Sequence, residues 1–273
     1  MESLSFLVTR KCNACCLGCP VEKNSKKMTP EVFKKAAGVL FPFISKYSVV
    51  KFFGGEPLFE FPLICYAYLH LKKKGFSGTF EVGTNGLLLD KQKSLWFREH
   101  TDIQVNFNAG FSPTEYALSI KNAIWNLCVY PKHIDTALST LFSLANVLSG
   151  TAHRINILPA FYCPWTPADL AKFSFILPKM LDYILKKRLS VENINRKGRI
   201  PLFNDGLAVD TDGTIYTSNI CLANIPKHIK QNLIFNPKKE PYKITVNDLI
   251  EIFGFDNTVS AYASGRILEK YVS

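Results

Sequence analysis

Along most of this chain the spacing of apolar positions switches between a period of two and a period near four. A short apolar run from Leu4 to Thr9 reads as a strand and stops at Arg10 and Lys11. Thr29-Pro30-Glu31 then starts a helix, with Thr29 as N-cap and Pro30 in the first helical position. Val32, Phe33, Ala36, Leu40 and Phe43 follow at near-helical spacing, and Pro42 inside that pattern predicts a kink or an early end. Val49 to Phe53 is a β-prone run stopped by Gly54-Gly55-Glu56-Pro57, and a helix from about Pro62 to Lys74 ends at Gly75. Thr79 to Gly83 is a strand stopped by Thr84-Asn85-Gly86, and Lys91 to Glu99 a helix.

The alternation continues with a strand from Ile103 to Phe107, then Ser112-Pro113-Thr114-Glu115, which reads as a capping box. Leu127 to Tyr130 is a strand, and Ile134, Leu138, Leu141, Leu144 and Leu148 mark a helix closed by Gly150. Ile155 to Leu158 is a strand, and Thr166-Pro167-Ala168-Asp169 opens a helix whose apolar face is Leu170, Phe173, Leu177, Met180 and Ile184. Six strand–helix units in a row imply an α/β fold with a parallel sheet and right-handed crossovers. Pattern alone allows either an open sheet or an incomplete barrel. After Arg188 the rhythm changes: Leu207 to Val209, Asp212-Gly213 and Thr214 to Thr217 read as a β-hairpin. Lys227 to Lys243 reads as loop, and helices near Val246 to Phe253 and Thr258 to Tyr271 finish the chain.

At 273 residues with 47% hydrophobic positions the chain can bury a sizeable core. The net charge of +11 raises the question of nucleic acid, but the basic residues are spread out. Lys72-Lys73-Lys74 and Lys186-Lys187-Arg188 fall at predicted helix ends, where cations complement the helix dipole. Scattered Cys65, Cys128, Cys163 and Cys221 form no disulfide framework and suit a reducing compartment. With no signal peptide and no membrane-length apolar stretch, a cytoplasmic protein is expected.

Half of the cysteines lie in Cys12-Asn13-Ala14-Cys15-Cys16-Leu17-Gly18-Cys19, directly after the first strand. Thiolates this close together grip a soft metal or an iron–sulfur cluster. All four could close a tetrahedral zinc site; Cys12, Cys16 and Cys19 alone would leave one iron of a four-iron cluster open. In parallel α/β folds chemistry collects beyond the carboxyl ends of strands. There the chain places the cysteine loop, then Gly54-Gly55-Glu56-Pro57, then Thr84-Asn85-Gly86, then Asn106 and Asn108.

Cys12-x3-Cys16-x2-Cys19, followed by the Gly54-Gly55-Glu56-Pro57 and Thr84-Asn85-Gly86 loops, resembles the radical S-adenosylmethionine enzymes over roughly residues 4 to 165. The resemblance implies a partial (β/α)6 TIM barrel over residues 1–188, with 189–273 as a small α+β extension. It implies a [4Fe-4S] cluster on Cys12, Cys16 and Cys19, with S-adenosylmethionine as cofactor. Gly54, Gly55, Glu56 and Pro57 would meet its amino group, Asn106 and Asn108 its ribose, and Thr84, Asn85 and Gly86 would complete its site. Gly18 stands where the family often has an aromatic residue, and Cys15 is an additional thiol.

Gly206 to Tyr216 resembles the hairpin opening the auxiliary-cluster extension (SPASM or twitch) of peptide-modifying members, but Cys221 is the lone nearby cysteine, so a single cluster is expected. A peptide or small natural product is the implied substrate, and a flavodoxin or ferredoxin the implied electron donor. The start of the barrel at residue 4 is read as leaving no room for a leader-peptide recognition domain. Cys163 and Cys221 are candidate thiols for returning hydrogen to a substrate radical. No histidine among His70, His100, His133, His153 and His228 sits in a catalytic motif, so catalytic residues stay unassigned. Tyr162 and Trp165 either line a pocket or pack the rim. The alternatives are a glycyl-radical enzyme activase and a zinc-knotted nucleic-acid-binding protein.

Overall fold

The computed structural model describes residues 3–44, 49–121, 123–160, 163–192 and 206–269. The strands are β1 (Ser3–Thr9), β2 (Val49–Gly54), β3 (Thr79–Thr84), β4 (Ile103–Asn108), β5 (Ile124–Val129) and β6 (Arg154–Pro159). They alternate with α1 (Pro30–Ile44), α2 (Phe61–Lys73), α3 (Lys91–Glu99), α4 (Glu115–Leu118), α5 (Ile134–Leu148) and α6 (Pro167–Lys186). Short strands β7 (Ser190–Val191), β8 (Gly206–Val209) and β9 (Ile215–Tyr216) follow, then α7 (Lys227–Asn232), α8 (Val246–Phe253) and α9 (Phe255–Glu269). The hydrogen-bonded strand order is β7-β6-β5-β4-β3-β2-β1-β8-β9, with β9 antiparallel to β8. This is a partial (β/α)6 barrel with a small α+β addition. No described helix is long and apolar enough to cross a membrane.

By packing, the chain divides into two compact units. The first comprises Met1–Thr84, Asp102–Gln104 and Pro201–Asp248. At its centre β1 pairs in parallel with β2 on one side and β8 on the other, so all seven of its residues are buried. Phe6 packs on Phe33 of α1 at 5.0 Å and on Phe52 at 6.1 Å, and Phe52 stacks on Phe80 at 6.2 Å. Such aromatic pairs add about 0.5–1.5 kcal/mol each beyond the area they bury.

The second unit comprises Asn85–Thr101, Val105–Ile200 and Leu249–Ser273. Burial alternates along its strands. Val105, Phe107, Trp125, Leu127, Val129, Ile155 and Ile157 are buried, whereas Asn106, Asn108, Asn126, Cys128, Arg154 and Asn156 are half-buried. Trp125 donates from Nε1 to His153 Nδ1 at 3.1 Å, which leaves Nε2–H to donate to the Leu118 carbonyl at 3.2 Å. Burial pushes the His153 pKa down, the Leu118 hydrogen bond only partly opposing it, so the ring is held neutral. Thr166 and Asp169 close a full capping box on α6, worth about 1 kcal/mol.

Several local expectations change. Pro42 does not end α1, which runs to Ile44; its ring removes only the one intrahelical bond that its own N–H would have made. The cap of α4 is Thr114, whose Oγ1 accepts from Ala117 N–H at 3.2 Å, in place of Ser112. The helix is only one turn long, so Ser112 and Pro113 lie ahead of it. Lys227 to Lys243 is not all loop, because α7 opens it and buries Ile229. The last helix begins at Phe255, ahead of Thr258, and its expected end at Tyr271 lies outside the described residues.

Candidate cofactor site

The cysteine loop leaves β1 and returns to it. Its neck is closed by backbone bonds: Arg10 N–H to Lys26 O at 2.8 Å, Met28 N–H to Val8 O at 2.9 Å and Asn24 N–H to Arg10 O at 3.3 Å. Cys15 and Cys19 are exposed, Cys12 and Cys16 half-buried, and none is in a disulfide. Cys19 N–H reaches the Cys16 carbonyl at 3.4 Å, and Ala14 N–H meets Cys12 Sγ at 3.4 Å. Lys23 Nζ donates to the Ala14 carbonyl at 2.5 Å. Burial raises the Cys16 thiol pKa, and the neighbouring Cys19 and Cys12 raise it further, with Lys23 opposing them.

Among the described residues no three His, Cys, Asp or Glu side chains converge on one metal position. The donor chemistry still fits an iron–sulfur group. Cys12, Cys16 and Cys19 share one loop outside any disulfide, and Cys19 N–H reaches back to the Cys16 carbonyl.

The loop after β2 lies against this neck. Gly55 N–H donates to Thr9 O at 2.9 Å, and Glu56 N–H to Lys11 O at 2.8 Å. A Cβ on Gly54 would stand 2.2 Å from Thr9 O, and one on Gly55 2.3 Å from Lys11 O. Both positions therefore require glycine for close approach of two backbones. Glu56 is fully buried, and its Oε1 accepts from Leu58 N–H at 3.0 Å and from Thr84 Oγ1 at 2.7 Å. The carboxylate caps a short 3₁₀ turn, Pro57–Glu60, and ties the loop after β2 to the end of β3. Pro57 stands at the first position of that turn, where its missing N–H costs nothing.

In the second unit, Asn85 Oδ1 accepts from Leu87 N–H at 2.9 Å. Gly86 has φ +78°, and a Cβ there would press on the Phe107 ring at 3.3 Å. Asn106 and Asn108 lie on the half-buried face of β4, and Asn108 Oδ1 accepts from Gly110 N–H at 2.8 Å. Sequence reasoning missed that this face continues across neighbouring strands. Asn108 is in register with Asn126, and Asn126 with Asn156, whose Nδ2 donates to Asn126 Oδ1 at 2.7 Å. The period-two pattern within β5 and β6 was the available signal.

Other expectations resolve differently. Trp165 is buried, donates to the Ala160 carbonyl at 3.0 Å and packs on Phe173, so it is rim packing. Tyr162 lies outside the described residues. Cys221 is fully buried, which keeps its thiol protonated, and Cys163 is half-buried.

No protein-family model and no curated protein matches the sequence. Solved structures do resemble the fold. Native anSMEcpe with bound AdoMet aligns over 99% of this chain and 97% of its own, with TM-score 0.61 and 14% identity. Native anSMEcpe with bound AdoMet and Kp18Cys peptide aligns over 100% and 84%, with TM-score 0.55 and 14% identity. Streptococcus suis SuiB bound to precursor peptide SuiA aligns over 86% of this chain but 65% of its own, with TM-score 0.56 and 13% identity. The present chain thus spans about two-thirds of SuiB.

Proposed function

We propose that this chain is a radical S-adenosylmethionine enzyme that holds a single [4Fe-4S] cluster on Cys12, Cys16 and Cys19 and modifies a peptide or small natural product. The observation that supports this most is the joining of two loops. The cysteine loop and the Gly54–Pro57 loop meet backbone to backbone, in a fold whose solved neighbours include AdoMet-bound structures. When bound, such a cluster supplies one electron to cleave the sulfonium C–S bond of S-adenosylmethionine, producing methionine and a carbon radical that takes hydrogen from the substrate.

In this reading residues 1–188 form the catalytic barrel and 189–273 an extension. Gly54, Gly55, Glu56 and Pro57 shape the seat of the cofactor's amino group, with Glu56 holding the loop while pointing away from solvent. Thr84, Asn85 and Gly86 are further cofactor residues in this reading, with Asn106 and Asn108 assigned to the ribose. The row of Asn126 and Asn156 provides further half-buried amides for polar parts of cofactor or substrate. A peptide substrate is supported by the peptides bound in anSMEcpe and SuiB. One cluster is supported by the cysteine inventory, since Cys221 alone follows residue 188. The electron comes from a flavodoxin- or ferredoxin-type donor in a reducing cytoplasm.

The test is direct. Anaerobically reconstituted protein with dithionite should convert S-adenosylmethionine to methionine and 5′-deoxyadenosine, and should hold about four irons per chain, as one cubane requires. A colourless zinc protein, or release of S-adenosylhomocysteine alone, would overturn the reading.

A further inference from the structure

Arg10, two residues before Cys12, has a heavily engaged side chain. It is 4% exposed, and its guanidinium makes four hydrogen bonds. Nε and Nη2 grip the two oxygens of Asp210 at 3.2 and 2.7 Å, a bidentate pair. Nη1 divides between two carbonyls, Glu22 at 3.4 Å and Leu222 at 3.3 Å. Glu22 lies three residues beyond Cys19, on the returning limb of the cysteine loop. The guanidinium therefore spans the loop's neck from one limb to the other.

The far partners are themselves fixed. Asp210 directly follows β8, takes a hydrogen bond from Thr211 N–H at 2.7 Å, and opens the turn in which Gly213 N–H donates to its carbonyl at 2.9 Å. Leu222 ends a 3₁₀ turn, Asn219–Leu222, capped by Ser218 Oγ. A lysine could not replace this fork, because an ammonium is a point charge with three donors and no planar bidentate face.

We propose that Arg10 is a positioning residue through which the C-terminal hairpin sets the returning limb of the cysteine loop. The assignment rests on the cluster reading for its purpose, and on the hydrogen-bond geometry alone for its existence. It gives the hairpin a role that requires no second cluster. The extension acts as the anchor on which the loop is held.

Hydrogen exchange on the metal-free wild type is the first measurement. Amides of residues 21–26 should be protected at least tenfold over those of 13–18; equal, fast exchange in both would overturn the proposal. In Arg10→Lys and Asp210→Asn, exchange in 21–26 should rise at least tenfold while β1 and β2 stay protected. Reconstituted variants should lose iron to a chelator at least tenfold faster than wild type and give an altered electron-resonance line shape. Unchanged exchange and iron release would reject the assignment. So would an equal rise in β1 and β2, or failure of both variants to fold, since the pair would then serve the whole core. If the wild type takes up no iron, the cluster reading fails while the metal-free exchange still judges the clamp.

Discussion

Two loops of the first unit, one after β1 and one after β2, solve opposite problems with neighbouring backbone. The cysteine loop keeps its thiols half-buried or exposed and is secured at its neck, by Arg10 and by pairing to Lys26 and Met28. The Gly54–Pro57 loop has its acidic side chain sealed away and satisfied by Leu58 and Thr84. A loop that must offer reactive groups cannot also bury them, so its order comes from its base. A loop that shapes a wall can be braced throughout. Substitutions should therefore separate the two sharply in stability.

The largest effect is expected at Gly55→Ala. Its new Cβ would meet backbone carbonyls of Arg10 and Lys11, which have no rotamer to yield. A loss of more than about 3 kcal/mol in denaturant unfolding is expected. A stability within about 1 kcal/mol of wild type would break the comparison, because the close approach would then be dispensable.

Glu56→Ala should cost about 2–3 kcal/mol, since it leaves the Leu58 N–H and the Thr84 hydroxyl buried without their acceptor. Glu56→Gln, which retains an oxygen at that position, should recover more than half of the loss. If both variants cost the same, the negative charge matters more than the hydrogen-bond geometry.

A pH series contrasts the units. His153 in the second unit has its folded pKa lowered from 6.5, so the unfolded chain binds the extra proton first. Its contribution is complete above pH 6.5 and is lost as pH falls from there through the lower folded value, at a slope of at most about 1.4 kcal/mol per pH unit. For Asp210 in the first unit, burial pushes the carboxyl up, but hydrogen bonds from Arg10 and Thr211 N–H outweigh it. Its folded value lies below 3.8, so its contribution persists until pH falls under that figure. Unfolding followed between pH 7 and 5 should show the slope in wild type and lose it in His153→Gln; persistence of the slope would assign it to another group.

The smallest effects belong to the thiols. Cys15→Ala, at an exposed position, should change stability by less than about 0.5 kcal/mol, and Cys16→Ala, at a half-buried one, by less than about 1 kcal/mol. They should differ in iron: Cys16→Ala loses the visible absorption of the reconstituted protein and Cys15→Ala keeps it. The reverse result would exchange their roles.

The alternation of strands and helices was legible because each apolar face repeats within a single element, and the helix from Lys91 to Glu99 has the expected bounds. The loop motifs were legible as positions, since each follows a strand of obvious pattern. Their inner workings were less so. At Gly54 and Gly55 the motif reads as a cofactor-facing turn, and what the structure adds is that the space a Cβ would need is filled by carbonyls of Thr9, Arg10 and Lys11. Trp165 could have lined a pocket on sequence grounds, and the Ala160 carbonyl beneath its indole decided otherwise.

By itself the sequence determined the order of the six strand–helix units and the clustering of four cysteines behind the first strand, because these depend on residues within a few turns of each other. Only the tertiary structure decided which side chains complete the loops. Glu56 meets Thr84 across 28 positions, and Arg10 meets Asp210 across 200. No local period records such pairings. They arise when β8 joins β1 edge to edge and β3 joins β2, bringing the strand ends, and the polar groups that follow them, into reach of one another.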